Sequence, residues 1–217
     1  SMLDHPNIVS IYSRGETDDG QLWIALQYVE GTDAEAALKA GEMTAHRAVH
    51  IVTEVAKALD FAHQRGVVHH DVKPANLLLS DDAGDEERVL LSDFGVARPI
   101  DDSGRGMDGA FTATLAYSAP EVITGEHIDG RADLYSLGCT LFRLLTGRQP
   151  FGDTDDAGTI RAHLEQPQPN LSDHLSWATA QLDAVIAKAL AKDPAKRFGS
   201  AREFAAAAAE AVRAAAP

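Results

Sequence analysis

Residues 67–79 read V-V-H-H-D-V-K-P-A-N-L-L-L, and three chemically capable side chains sit between their two apolar runs: Asp71, Lys73 and Asn76. An acid, a cation and an amide at this spacing suit a loop built over one small polar site. A further acid, Asp93, follows the apolar run V-L-L-S and precedes Phe94-Gly95. If the strand after Asn76 pairs as a hairpin with the strand before Asp93, those two side chains come together. Two oxygen donors on one rim suit a hard cation such as Mg²⁺, which takes one or two carboxylates and keeps water and phosphate as its other ligands. Lys73 adds positive charge for a phosphate oxygen, and Asp71 is placed to accept a proton from an attacking hydroxyl. The set implies phosphoryl transfer, a reaction that asks a protein for positioning and charge neutralisation.

The elements that would hold this set follow from periodicity and capping. Residues 8–12 and 22–29 read as strands joined by a turn at T-D-D-G. Thr32 or Asp33 caps a short helix reaching Ala40, and Thr44 caps a longer one that runs to His63 and ends at Gly66. Two short strands are expected to flank the loop. The acidic stretch 81–87 reads as a solvated hairpin end. Between 96 and 116 periodicity disappears, which marks a long loop of the kind that is functional or mobile in compact domains. From 131 the chain reads as helical to its end, with breaks at 147–151, 167–170 and 193–194. The alanine-rich tail from Ala205 reads as a surface helix or the start of a linker. His46 and His50 stand one helical turn apart, a metal-ligand spacing, but no third ligand is in sight and the reading is a helix surface. The fold class is α+β: a hairpin, then a mainly helical body.

Composition narrows the function classes. The formal charge of −14 disfavours binding to nucleic acid. The one cysteine, Cys139, lies in an apolar run and reads as a buried thiol, so no intramolecular disulfide forms. A reducing, cytoplasmic setting fits this.

Five ordered motifs then carry a family resemblance. H-H-D-V-K-P-A-N (69–76) resembles the catalytic loop of eukaryotic-like protein kinases, D-F-G (93–95) their metal-binding motif, and A-P-E (119–121) the end of their activation segment. D-L-Y-S-L-G (133–138) resembles their central-helix motif, and K-D-P-A-K-R-F (192–198) is similar to their C-terminal signature. Lys73, two residues after Asp71, is the Ser/Thr pattern, and the chain is most similar to bacterial Hanks-type Ser/Thr kinases. The resemblance implies a protein-kinase-like fold with a residual N-lobe hairpin and hinge over 1–29, a C-lobe over 30–212 (catalytic loop 69–76, activation segment 93–121) and a tail or linker over 213–217.

It also implies roles. Asp71 would be the catalytic base, with Lys73 on the γ-phosphate and Thr114 steadying both. Asn76 and Asp93 would bind Mg²⁺ or Mn²⁺. For ATP, Leu26 would be the gatekeeper, Gln27 to Val29 the hinge, Asp33 the ribose partner and Leu78 the adenine floor. His69, Phe94 and Gly95 would be structural, Asp133 would hold the catalytic-loop backbone, and Glu121 would pair with Arg197. Thr112 and Ser103 are candidate phosphorylation sites. The implied partners are proteins presenting Ser or Thr, and the resemblance is compatible with a membrane-anchored longer protein whose kinase domain is cytoplasmic.

Three departures qualify this. His70 stands where most of the family has Arg, so the usual clamp on a phosphorylated loop is missing (a non-RD pattern). No V-A-I-K-like lysine precedes the hinge. The literal G-x-G-x-x-G at 104–109 lies in the long loop after D-F-G, in the wrong context for a phosphate lid. The chain therefore reads as beginning mid-domain and as inactive alone, with a regulatory or dimerising pseudokinase module as the alternative. Ile8, Val9, Ile11, Leu22 and Ile24 are expected to lack their packing partners and to favour self-association.

Overall fold

A computed structural model describes residues 3–80, 87–94, 115–152 and 155–215 of the chain. Near the N-terminus, β1 (Ile11–Glu16) and β2 (Leu22–Leu26) form an antiparallel hairpin, with Glu16 opposite Leu22 and Ile11 opposite Leu26. A second antiparallel sheet has the order β3-β4-β5, from β3 (Gly31–Asp33), β4 (Leu77–Ser80) and β5 (Arg88–Leu91). Gly31 has φ 137°, and a Cβ there would lie 2.1 Å from the Leu79 carbonyl oxygen. Only glycine lets β3 approach β4 this closely.

The helices begin where side-chain oxygens replace missing backbone acceptors. Asp33 caps α1 (Ala34–Lys39) by accepting from Ala36 N, and Thr44 caps α2 (Ala45–His63) by accepting from Arg47 N. After α3 (Pro120–Thr124), α4 (Arg131–Thr146) passes through the core, with the run Ala132 to Phe142 buried all round. A helix buried on every side belongs in an interior, where its polar Asp133, Ser136 and Thr140 must find partners. It is followed by α5 (Asp156–Glu165), α6 (Ala180–Ala189) and α7 (Ala201–Ala215). No helix among the described residues is long and apolar enough to cross a membrane.

Several expectations are corrected. The first strand starts at Ile11, not residue 8, and the second ends at Leu26, not residue 29. Ile8 and Val9 do not lack partners: Ile8 bridges Leu91, Val9 N donates to Leu91 O at 3.0 Å, and both are buried against the helical body. Ile11, Leu22 and Ile24 are exposed, with Tyr12, Trp23, Leu26 and Tyr28 beside them. No strand precedes the catalytic-loop motif, where residues 67–69 are irregular. The alanine-rich tail is helical, with one face packed on the helical body and the other exposed. Ala205, Ala208, Ala211 and Val212 are buried along α2, and the helix continues to Ala215. Alanines let two helix backbones come close, and Arg202, Glu203, Glu210 and Arg213 stay exposed on the outer face. Asp60 of α2 anchors the start of α7 by accepting from Ala201 N at 2.8 Å and Arg202 N at 3.2 Å.

Candidate active site

The loop before β4 hangs from one buried carboxylate. Asp133, in the first turn of α4, is fully buried. It accepts from His70 N (2.9 Å) on one oxygen, and from His69 N (2.8 Å) and the His63 ring (2.7 Å) on the other. Three donors replace the water that a buried carboxylate has lost. These bonds hold His70 at φ 71°, a left-handed conformation that costs a non-glycine residue roughly 1–2 kcal/mol. The backbone of His70 is therefore part of the loop's anchor, while the residue as a whole lies exposed.

His69 stiffens the same loop through its ring. Its Nε2 lies 2.7 Å from Ser92 O, its Nδ1 accepts from Asp71 N at 3.2 Å, and Phe94 meets the ring edge-on at 4.5 Å. Burial pushes its pKa below the ordinary histidine value, so the ring is neutral with its proton on Nε2. From α4, Thr140 Oγ1 donates to Val72 O at 3.3 Å.

On this frame the candidate groups converge. Lys73 Nζ lies 2.8 Å from Asp71 Oδ2. Asn76 Nδ2 donates to Asp71 O at 2.7 Å and to Asp71 Oδ2 at 3.0 Å, which ties the base, the cation and the amide into one cluster. The β4–β5 pairing brings Asp93 alongside: Ser92 N and Ser92 Oγ both donate to Asn76 O, at 3.0 and 3.2 Å. Asp93 is exposed at φ 62°, a turn that lifts its carboxylate off the end of β5. With its NH₂ engaged by Asp71, Asn76 keeps its amide oxygen as an acceptor; this oxygen and the Asp93 carboxylate are the oxygen donors that could hold a hard cation such as Mg²⁺.

Of the expected nucleotide residues, Leu78 follows Asn76 closely on β4 and Asp33 lies opposite it. Asp33 pairs with Leu78 across β3 and β4, so the ribose and adenine candidates share one register position, although one Asp33 oxygen caps α1. Gln27 is linked twice to Ser10 just past the end of β2 at Leu26, and Val29 lies in the irregular stretch that follows.

Beyond the loop, Glu121 and Arg197 form a bidentate pair at 2.6 and 2.8 Å, with the Arg197 side chain fully buried. Arg197 also donates to Ala191 O and Arg131 O and lies 4.9 Å from the Tyr135 ring centroid. Ser136 Oγ donates to Tyr117 O at 2.7 Å, fixing residues 115–119 to α4. Thr114, Thr112, Ser103, Gly95 and the glycine pattern at 104–109 lie outside the described residues. His50 Nε2 contacts Glu87 O at 2.9 Å, and no metal-binding cluster occurs among the described residues.

Sequence reading missed His63, Ser92, Ser136 and Thr140. Each acts on a partner at least 16 residues away, and no local spacing announces such a bond.

Comparison with known proteins follows the same lines. The sequence family described as "Protein kinase domain" matches residues 1–210. The chain is 58% identical over 212 residues to the serine/threonine-protein kinase PknJ of Mycobacterium tuberculosis, covering 97% of this chain and 36% of PknJ. It is 43% identical over 207 residues to PknF of the same organism (94% and 43%) and 40% identical over 209 residues to PknB (93% and 33%). The chain thus spans well under half the length of these curated relatives.

Proposed function

Because the chain belongs to the protein kinase family, we propose that it is the catalytic-lobe portion of a Ser/Thr protein kinase, serving transfer of the ATP γ-phosphoryl group to Ser or Thr hydroxyls of proteins. The observation that carries this reading is the cluster of Asp71, Lys73 and Asn76 with Asp93 beside it, hung from Asp133. In this reading Asp71 accepts the proton of the attacking hydroxyl. Lys73, paired with Asp71 at 2.8 Å, shares its charge with the transferring phosphoryl group. Asn76 holds Asp71 in place through its NH₂ and turns its oxygen, with that of Asp93, to the metal. Mg²⁺ supplies neutralisation of phosphate charge when bound. Leu26, Gln27, Val29, Asp33 and Leu78 form the nucleotide edge. The rigid backbone at 69–72 keeps these groups aligned, which is where most of the rate in such a reaction originates.

The reading includes two further expectations. The chain alone transfers phosphate at a negligible rate, because it carries no glycine-rich lid in strand context and no strand lysine ahead of the hinge. Since His70 lacks the bidentate fork of an arginine, activity of the longest gene product is either independent of activation-loop phosphorylation, at Thr112 for one, or weak.

The test is transfer of labelled γ-phosphate from MgATP to a Ser/Thr acceptor, run on the longest gene product, its Asp71→Asn variant and this chain. Transfer by the long product, lowered at least about 10²-fold in Asp71→Asn, is the expected result. A folded long product with no transfer would make the pseudokinase reading the better one.

A further inference from the structure

Ser92 stands between the last residue of β5 and Asp93. The stretch before it, Val89 to Leu91, is fully buried and apolar, and Ser92 is buried as well. An apolar side chain would suit that burial, so a hydroxyl there needs a bond to offset its lost water. Its peptide is fixed on both sides: Ser92 N donates to Asn76 O at 3.0 Å, and Ser92 O lies 2.7 Å from His69 Nε2. Its hydroxyl lies between the residues that carry the two candidate cation ligands. Ser92 Oγ is 3.2 Å from Asn76 O and 3.5 Å from Asp93 Oδ2.

Both of those neighbours accept, and a hydroxyl has one proton to give. Asn76 O is the nearer acceptor, but it is neutral and already takes the Ser92 N–H. The Asp93 carboxylate is farther, at the outer limit of a hydrogen bond, but a charged acceptor makes the stronger bond. The hydroxyl therefore has two uses. Turned to Asn76 O, it braces the backbone of one ligand residue. Turned to Asp93, it holds the carboxylate of the other. Rotation about the Cβ–Oγ bond moves the proton between them, and the peptide of Ser92 stays where it is. Once Asp93 shares its charge with a cation, the carbonyl becomes the better acceptor, so the bond passes to Asn76 as the site fills.

We propose that Ser92 is a positioning residue for the cation site: its hydroxyl, shared between the Asn76 carbonyl and the Asp93 carboxylate, sets the spacing and orientation of the two side chains that offer oxygen to Mg²⁺. The identity of that site rests on the kinase reading. The role is separable from folding, because removing the hydroxyl leaves both backbone hydrogen bonds of Ser92 in place.

Two arms test it. In the first, Mn²⁺ alone is titrated into this chain, and paramagnetic broadening of backbone amide signals reads its place and its Kd. The expected result is broadening centred on Asn76 and Asp93, a Kd raised about three- to tenfold in Ser92→Ala, and recovery in Ser92→Thr, which keeps the hydroxyl. Ser92→Ala decides the matter by itself where the added methyl of Thr prevents folding. An equal Kd in folded Ser92→Ala overturns the proposal and leaves the cation site standing. Broadening away from Asn76 and Asp93 in the unsubstituted chain sinks the cation site, and the proposal with it. In the second arm, the longest gene product is assayed with an acceptor peptide at varied free Mg²⁺. The Mg²⁺ concentration for half-maximal rate should rise in Ser92→Ala by the same factor, with the peptide KM unchanged and recovery in Ser92→Thr. A lower kcat at an unchanged Mg²⁺ requirement would mean a merely structural role and refute the proposal. Absence of transfer by the unsubstituted product would sink the kinase reading, and the first arm would still decide the role of Ser92.

Discussion

The β1–β2 hairpin and the frame around Asp133 invert one another. In the hairpin, large apolar side chains face water: Leu22 is 83% exposed and Tyr12 70%. In the frame, charged side chains are buried: Asp133 at 0%, Glu121 at 4% and Arg197 at 5%. The hairpin is held by its own ladder and a few links through Ser10, so its geometry is local. Two buried charges of the frame, Asp133 and Arg197, each bind partners from two or more distant segments. Asp133 joins α2, the catalytic loop and α4, while Arg197 joins α3, α4 and the chain before α7. A buried charge is a poor source of net stability, but it is intolerant of misplacement, so it fixes loops where apolar contacts would let them slide. The position of Asp71 is thereby set by groups that do no chemistry.

The contrast can be broken most directly at the Glu121–Arg197 pair. Glu121→Ala leaves Arg197 buried without its partner, and the expected loss is roughly 3–5 kcal/mol by denaturant unfolding. A loss near zero would mean that the frame relaxes as the hairpin can. Acid should find the same region. His163 has a folded pKa of about 4 against 6.5, and that of His69 is lowered in the same direction. For a histidine buried neutral, the unfolded chain binds the extra proton. Stability is full above pH 6.5 and declines as pH falls from there towards 4, by roughly 3 kcal/mol from His163 alone. In His163→Phe the pH slope of unfolding in this window should flatten, and a slope that stays unchanged would place the acid sensitivity elsewhere.

Asp133→Asn sharpens the comparison at lower cost. The amide keeps one acceptor oxygen and leaves a buried loop N–H without its partner, for about 1–3 kcal/mol. Protection of the His69 and His70 amides from hydrogen exchange should drop, while that of the hairpin amides stays as it was. The smallest effect belongs to the hairpin. Leu22→Ser should change stability by less than about 0.5 kcal/mol. It should instead lower self-association through the exposed apolar face, seen by light scattering at high concentration. A chain that is strictly monomeric before the substitution would contradict that expectation.

Legibility from sequence followed the range of the interactions. The caps at Asp33 and Thr44, the turn at Gly66 and the β4–β5 hairpin were readable because donor and acceptor lie within a few residues of one another. The juxtaposition of Asp71, Lys73 and Asn76 was readable because they share one loop, and that of Asp93 because a two-stranded ribbon returns it to the same end. The fate of the alanine tail was not readable. An Ala-rich amphipathic helix suits a surface or a helix–helix seam, and only the facing stripe of α2, Ile51 to Ala62, decides between them. Ile8 and Val9 look like strand residues in need of a sheet, yet they close onto Leu91 of β5.

What the sequence determined alone is the set of local elements and the chemistry they carry: an acid, a cation and two metal-type oxygens on one hairpin rim. What the tertiary structure decided is how firmly that rim is held, and by what. His63 with Asp133, Tyr135 with His163 and Glu121 with Arg197 are separated by 70, 28 and 76 residues. Secondary-structure periodicity extends over a few turns at most, so nothing in the order of residues signals such pairs. They exist because the packed helices leave these polar groups no water, and each must find its partner in another segment.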